Sequence, residues 1–133
     1  MEFEEDDEVI ATYIDETAER LDGIEDALLS ISRGAGQGRD EVLNSIFRSA
    51  HSIKAGANLL KMRNIESISH SMENILQVFR QRRRLPDEDD VTVLLSGIDW
   101  LRDLLSDIRR SDKRDVASVV GMLNTLLGQL NKS

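Results

Sequence analysis

The segment SIFRSAHSIKAGANLL, residues 45–60, carries the pattern that decides the fold. Its apolar residues recur at spacings typical of an α-helix with one buried face. They are Ile46, Phe47, Ala50, Ile53, Ala57 and Leu60. At about 100° per residue, His51 points roughly 120° away from the centre of this stripe. The segment therefore predicts an amphipathic helix with His51 at the edge of its buried face or outside it.

A long amphipathic helix precedes this segment. Its apolar stripe predicts a helix from about Asp7 to Ser32. The segment RGAGQGR, residues 33–39, contains three glycines and predicts a flexible loop. Asp40 follows this loop and is the predicted N-cap of the second helix.

Three further helices follow the second. The third is predicted to begin after an N-cap at Asn64 and to end in a run of arginines. LPDEDD, residues 85–90, predicts a turn that supplies acidic residues to the next helix N-terminus. The fourth helix has an apolar stripe that continues to Ile108, and the fifth is predicted to begin near Asp115.

The five helices predict an all-α, up-and-down antiparallel bundle, because no segment alternates with a period of two and the connections are short. Two arrangements fit the pattern: helices two to five could form the bundle, or the first four could form it. We favour a four-helix bundle of the first four, with the fifth C-terminal helix packed alongside, because the first helix has a full-length apolar stripe. No linker divides the chain, so residues 1–133 are expected to form a single domain.

Composition excludes several functional classes. The net charge is −8, so nucleic acid is not an expected partner, although RQRRR at residues 80–84 is a local basic run. The chain has no cysteine and no apolar stretch near the length of a membrane span, and its start is acidic. We expect a cytoplasmic monomer with no membrane association, no metal and no cofactor.

Small and polar residues surround His51 on its side of the helix. The pattern leaves the imidazole bare enough for a large partner to approach. Glycine in a helix interior costs about 1 kcal/mol relative to alanine, so Gly56 is a poor choice for stability alone. The candidate docking residues are Asn44, Arg48, Ser52, Ala55, Gly56 and Asn58.

A second polar flank lies on the third helix, where HSMEN at residues 70–74 places His70 and Glu73 one turn apart. Three interpretations compete for these residues. A lone histidine is often only a boundary residue. A bundle metal site is disfavoured, because the chain has two histidines in total. A non-catalytic helical adaptor would use the arginines at 82–84 for docking or lipid binding.

The segments FRSAHSIKAGA, residues 47–57, and SISHSMENIL, residues 67–76, decide among these interpretations. Together they closely resemble the histidine phosphotransfer (HPt) domains found at the N-terminus of CheA-type chemotaxis histidine kinases. That family carries F-R-x-x-H-S-I-K-G-G-A on its second helix and H-x-M-E-N-[IL]-L on its third. The resemblance also covers the order of five helices and nearly the whole chain.

The resemblance implies a role for each polar residue. His51 would be the phosphorylated histidine, and Lys54 would lie near the phosphoryl group. His70 and Glu73 would complete a hydrogen-bonded cluster. A carboxylate that accepts the N–H of one ring nitrogen fixes the tautomer and leaves the other nitrogen nucleophilic. Glu73 is therefore expected to orient His51, with Nε2 as the free nitrogen.

The resemblance also implies two partners: a histidine kinase catalytic domain that donates the phosphoryl group, and a response-regulator receiver domain that accepts it. The sequence has no phosphate-binding glycine loop, so the isolated domain is not expected to phosphorylate itself. It could be part of a CheA-type kinase or a free-standing phosphorelay protein. Two departures, Ala55 in place of glycine and NLLKM at residues 58–62, affect the expected docking surface.

Overall fold

The computed structural model describes residues 2–34 and 38–132, with side chains from Asp7 onward. Residues 35–37 of the predicted glycine-rich loop lie outside the described residues. The described chain is all-α, as predicted. Its elements are α1 (Glu2–Ser32), α2 (Arg39–Leu59), α3 (Arg63–Arg82), α4 (Glu88–Ser106), a 3₁₀ helix (Ile108–Lys113) and α5 (Ala117–Lys132).

The first four α-helices form a closed ring of neighbours. Helix α1 packs against α2 and α4, and α3 packs against the same two helices. Helix α5 lies outside this ring and packs against α3 and α4. The favoured arrangement, a four-helix bundle with the C-terminal helix alongside, is confirmed.

The core consists mainly of aliphatic side chains and is densest along α3. This helix has neighbours on three sides, so its apolar residues are almost completely enclosed. They are Ile65, Ile68, Met72, Ile75, Leu76 and Phe79. Helix α2, by contrast, contacts only α1 and α3 among the described elements, which leaves one side of it facing solvent.

The N-cap predictions for α2 and α3 were wrong. Helix α2 begins after Gly38, whose φ is 69°, and Asp40 lies in the first turn instead of capping it. Helix α3 begins after Met62, and the carboxylate of Asp112 accepts hydrogen bonds from the backbone N–H groups of Arg63 and Asn64. The capping group of α3 therefore comes from a residue distant in sequence.

Asn64 instead joins α3 to the segment between α4 and α5. Its side-chain Nδ2 donates to the carbonyl oxygens of Ser111, at 2.8 Å, and Arg114, at 2.7 Å. These bonds anchor the 3₁₀ helix to the start of α3. The predicted continuation of α4 to Ile108 was wrong: α4 ends at Ser106, and Ile108 reaches the core from the 3₁₀ helix.

The predicted starts of α4 and α5, which were based on acidic residues, are closer to the structure than the N-cap predictions for α2 and α3. Asp87 and Asp90 form a capping box at the start of α4, as the acids of LPDEDD suggested. Asp115 lies two residues before α5 and accepts a hydrogen bond from the Ala117 N–H at 3.0 Å. Helix α5 therefore begins slightly later than Asp115.

Helices α2 and α3 both end with a residue in the left-handed conformation. Lys61 follows α2 with φ 60°, and Arg83 follows α3 with φ 51°. The Met62 N–H bonds to the Ala57 carbonyl and the Lys61 N–H to the Asn58 carbonyl. This is the Schellman pattern, in which glycine is the usual left-handed residue.

Candidate functional site

His51 and Glu73 face each other across the seam between α2 and α3. The two residues are equally far in sequence from Met62, in the connection between the helices. Because α2 and α3 form an antiparallel hairpin, equal spacing from the turn places them at the same level. The connection thus determines which α3 residue meets the histidine.

The carboxylate of Glu73 is shared between two side chains of α2. Its Oε2 is hydrogen-bonded to His51 Nδ1, and its Oε1 accepts a hydrogen bond from Lys54 Nζ at 2.9 Å. The Glu73 side chain is only 10% exposed, whereas the His51 side chain is 56% exposed. An inward carboxylate therefore holds an outward-facing imidazole by its Nδ1, which leaves Nε2 free.

The charge of Glu73 is stabilised by its two partners. Burial alone would raise the pKa of this carboxyl group. The hydrogen bonds from Lys54 and His51, together with the charges on those two groups, outweigh burial and hold the pKa below its ordinary value. Glu73 is accordingly a carboxylate at neutral pH and can act as a hydrogen-bond acceptor for both.

Phe47 and Arg80 lie beside this cluster, and the sequence interpretation assigned neither to it. The rings of Phe47 and His51 are nearly parallel, with 6.2 Å between centroids and 16° between planes. The Arg80 guanidinium lies 3.8 Å from the Phe47 ring centroid. The four-residue spacing of Phe47 and His51 could have indicated their contact. Arg80 needed the register of α3 against α2.

His70 is not joined to the cluster. It is exposed, and its ring makes no hydrogen bond with any side chain in the described parts of the chain, 7–34 and 38–132. Glu73 is hydrogen-bonded to His51 through Oε2 and to Lys54 through Oε1, and neither oxygen has a hydrogen bond to the His70 ring. The expected hydrogen-bonded role of His70 is therefore not seen.

The predicted docking residues lie on or near the solvent side of α2, except Gly56, which faces Tyr13 of α1. Arg48 and Asn58 are exposed, and the remaining four, Asn44, Ser52, Ala55 and Gly56, are half-buried. Arg48 has no ion-pair partner among the described residues. Their arrangement leaves an open surface around the imidazole, and their docking role stays a prediction.

Gly56 has a partner within the protein that the sequence interpretation missed. A Cβ atom at this position would overlap Tyr13 Cε1 of α1 and lie 2.8 Å from Tyr13 Cδ1. Tyr13 is buried, and its hydroxyl donates to the Ile53 carbonyl of α2 at 2.7 Å. Burial raises the pKa of Tyr13 to about 12, so the phenol remains protonated as a donor. The absence of a side chain at Gly56 thus makes room for the Tyr13 ring of α1 to pack against α2.

The arginine run at the end of α3 has partners inside the protein. Arg82 donates to the Leu130 carbonyl at 2.6 Å. Arg83 lies 3.9 Å from Asp40, and Arg84 lies 3.4 Å from Asp90. These intramolecular contacts weaken the interpretation of residues 82–84 as a lipid-binding patch.

No three His, Cys, Asp or Glu side chains in the described part of the chain converge as metal ligands. None of the helices within the described residues is both long enough and apolar enough to cross a membrane.

The chain is similar in sequence to a known domain family and to several chemotaxis proteins. The family model of the Hpt domain matches residues 8–111. The chemotaxis protein CheA of Salmonella typhimurium is 32% identical over 115 residues, which are 86% of this chain and 17% of that protein. CheA of Rhizobium meliloti is 34% identical over 103 residues, which are 77% of this chain and 13% of that protein. The chain thus spans less than a fifth of these relatives.

A solved structure shares the fold over nearly its whole length. It is the phosphorylated P1 domain of CheA3 in complex with CheY6 from R. sphaeroides. The TM-score is 0.77 at 25% sequence identity, and the match covers 95% of this chain and 98% of that chain.

Proposed function

The chain belongs to the Hpt domain family, and on that premise we propose that it carries a phosphoryl group on His51 in chemotaxis-type two-component signalling. The observation that carries the proposal is the hydrogen bond between His51 Nδ1 and the buried Glu73 carboxylate. It holds the proton on the inner nitrogen and leaves the lone pair on Nε2 of a ring that is more than half exposed.

The phosphoryl donor would be ATP bound to a histidine kinase catalytic domain. The Nε2 lone pair forms a bond to the γ-phosphorus, the bond from that phosphorus to the bridging oxygen breaks, and ADP leaves. Positive charge develops on the imidazole as the N–P bond forms. The Glu73 carboxylate stabilises that charge through the Nδ1 proton, which lowers the barrier.

Onward transfer would reverse the roles of the atoms. A carboxylate oxygen of a receiver-domain aspartate bonds to phosphorus, and the N–P bond breaks with its electron pair returning to Nε2. Because the ring remains anchored through Nδ1, the same nitrogen is ready for the next cycle. The domain therefore serves as a carrier: it positions His51 and stabilises the charge on its ring, while the nucleotide and the acceptor aspartate belong to its partners.

Lys54 is proposed to favour the phosphorylated state electrostatically. Its ammonium group lies 2.9 Å from Oε1 of the same carboxylate that holds His51, and its positive charge would attract an incoming dianion. In the free domain the same contact compensates the Glu73 charge. We assign His70 no bonding role.

The partners and the parent protein are part of the proposal. We propose a kinase catalytic domain and a receiver domain as partners, docking on the open α2 surface around His51. The two motifs that resemble CheA-type N-terminal domains, together with the matches to CheA proteins, favour the N-terminal domain of a CheA-type kinase over a free-standing phosphorelay protein. A cytoplasmic location remains the prediction made from the sequence.

Phosphorylation assays on two histidine variants test the proposal. The protein is incubated with ATP and a CheA-type kinase catalytic domain, and any label is tested for acid lability, which phosphohistidine shows. His51→Gln should fold normally, because the ring is largely exposed, and should take up no label. His70→Gln removes the chain's other histidine and should still be labelled. Label retained by His51→Gln, or lost only in His70→Gln, would contradict the assignment.

A further inference from the structure

The ring of His51 is contacted on one side by an aromatic side chain that the hydrogen-bonded cluster does not include. Phe47 lies one helical turn before His51, and the two rings are within the distance range of stacked aromatic pairs. Glu73 holds the imidazole at a single atom, Nδ1. One such contact selects the tautomer, but it leaves the tilt of the ring plane to the neighbouring packing.

Phe47 is itself covered by Arg80 of α3. The guanidinium lies directly over the phenyl ring, 3.8 Å from its centroid, in cation–π geometry. Arg80 Nη2 also donates to Gln77 Oε1 at 2.6 Å, which holds the guanidinium in place. No carboxylate of the described chain forms an ion pair with Arg80, although acidic residues outnumber basic ones in this protein.

We propose that Arg80 is a positioning residue for His51 that acts through Phe47. In this arrangement Arg80 presses the Phe47 ring into one orientation, and Phe47 limits the tilt of the imidazole. Glu73 and Phe47 together then aim Nε2 along the line on which phosphorus must approach. The inference rests on the proposed phosphotransfer function and names an additional residue for it.

The competing role for Arg80 is a direct contact with the kinase or its nucleotide. Two phosphoryl donors distinguish these roles. The first is ATP bound to the kinase catalytic domain. The second is phosphoramidate, from which the His51 Nε2 bond to phosphorus forms while the P–N bond of the donor breaks and ammonia leaves. A positioning residue affects both reactions, whereas a kinase contact affects only the first.

The test variant is Arg80→Met, which removes the charge and keeps much of the side-chain volume. Arg83→Met is the matched control, because Arg83 belongs to the same basic run, is exposed and lies 3.9 Å from Asp40. We expect Arg80→Met to slow His51 phosphorylation about three- to tenfold with both donors, the range expected for loss of a partly buried cation–π contact. Arg83→Met should stay within about twofold of the parent protein.

A double variant tests whether Arg80 acts through Phe47. Phe47→Leu should cause a loss similar to that of Arg80→Met, and combining the two should add little, because the second substitution removes a contact already lost. Unchanged rates in Arg80→Met, a loss confined to the kinase reaction, or fully multiplicative losses in the double variant would each overturn the proposal.

An NMR measurement keeps this test separate from the phosphotransfer function itself. Nuclear Overhauser cross-peaks between the Phe47 and His51 rings should weaken in Arg80→Met and persist in Arg83→Met. If the parent protein took up no label, the proposed function would fail, while the cross-peaks would still report on ring positioning. Cross-peaks of unchanged intensity in Arg80→Met would overturn the role of Arg80.

Discussion

Replacing Gly56 with alanine tests the contact between α1 and the helix of His51. In an open helix position this change would stabilise the protein by about 1 kcal/mol, because alanine is the better helix former. Here the new methyl group would overlap Tyr13 Cε1 and lie 2.8 Å from Cδ1, well inside the usual carbon–carbon contact distance. The tyrosine ring must therefore move.

The cost of that movement follows from the surroundings of Tyr13. The ring is 9% exposed, and its hydroxyl bonds to the Ile53 carbonyl. Overpacking a core costs about 1–3 kcal/mol, and a buried hydroxyl that loses its partner costs a similar amount. After subtraction of the gain in helix propensity, we expect Gly56→Ala to lower the free energy of unfolding by about 2 kcal/mol.

Urea unfolding followed by circular dichroism at 222 nm measures this change. Tyr13→Val supplies the control background, because valine lacks both ring atoms that the new methyl group meets. In that background Gly56→Ala should be neutral or stabilising by up to about 1 kcal/mol. If Gly56→Ala stabilised the parent protein, or had the same effect in both backgrounds, Tyr13 would not be the reason for glycine at this position.

Three other substitutions have expected outcomes. Folding lowers the Glu73 pKa, so the parent protein should have a higher free energy of unfolding than Glu73→Gln above the ordinary carboxyl pKa of 4.5. This difference should shrink as the pH falls below 4.5. Urea unfolding at several pH values measures it, and a difference that grew at low pH would contradict the prediction. Lys61→Gly should raise the free energy of unfolding by about 1 kcal/mol in the same assay, because Lys61 has φ 60°. Ala55→Gln should keep the fold but slow phosphorylation by the kinase and transfer to a receiver; an unchanged rate would move the docking surface towards Arg48 and Asn44.

The helices and their order could be predicted from the sequence because each depends on local apolar periodicity. The capping of α3 could not, since the group that caps it, Asp112, belongs to a different segment of the chain. The break after Ser106 was missed for a related reason: Ile108 continues the apolar stripe, so periodicity alone cannot distinguish a continued α-helix from a 3₁₀ segment.

The residues of the candidate site also fall into those that sequence motifs predicted and those that only the packing of the helices identifies. His51, Lys54 and Glu73 were found together because two sequence motifs marked them, and the structure joins all three. His70 belongs to the same motif but is exposed, which its one-turn spacing from Glu73 did not reveal. Tyr13 and Arg80 had no motif, since their partners on α2 are identified only by how the helices pack.

The His51–Glu73 contact is made within one helical hairpin, and this has a consequence for folding. Its two partners are separated by 22 residues of chain, so the entropy lost in closing the intervening segment is modest. Pairs of this kind can form early, before α4 and α5 dock. We therefore expect amide hydrogen exchange to show α2 and α3 protected together. Inserting a single residue into α3 just before Glu73 should turn its carboxylate by about 100° around the helix axis and separate it from the imidazole.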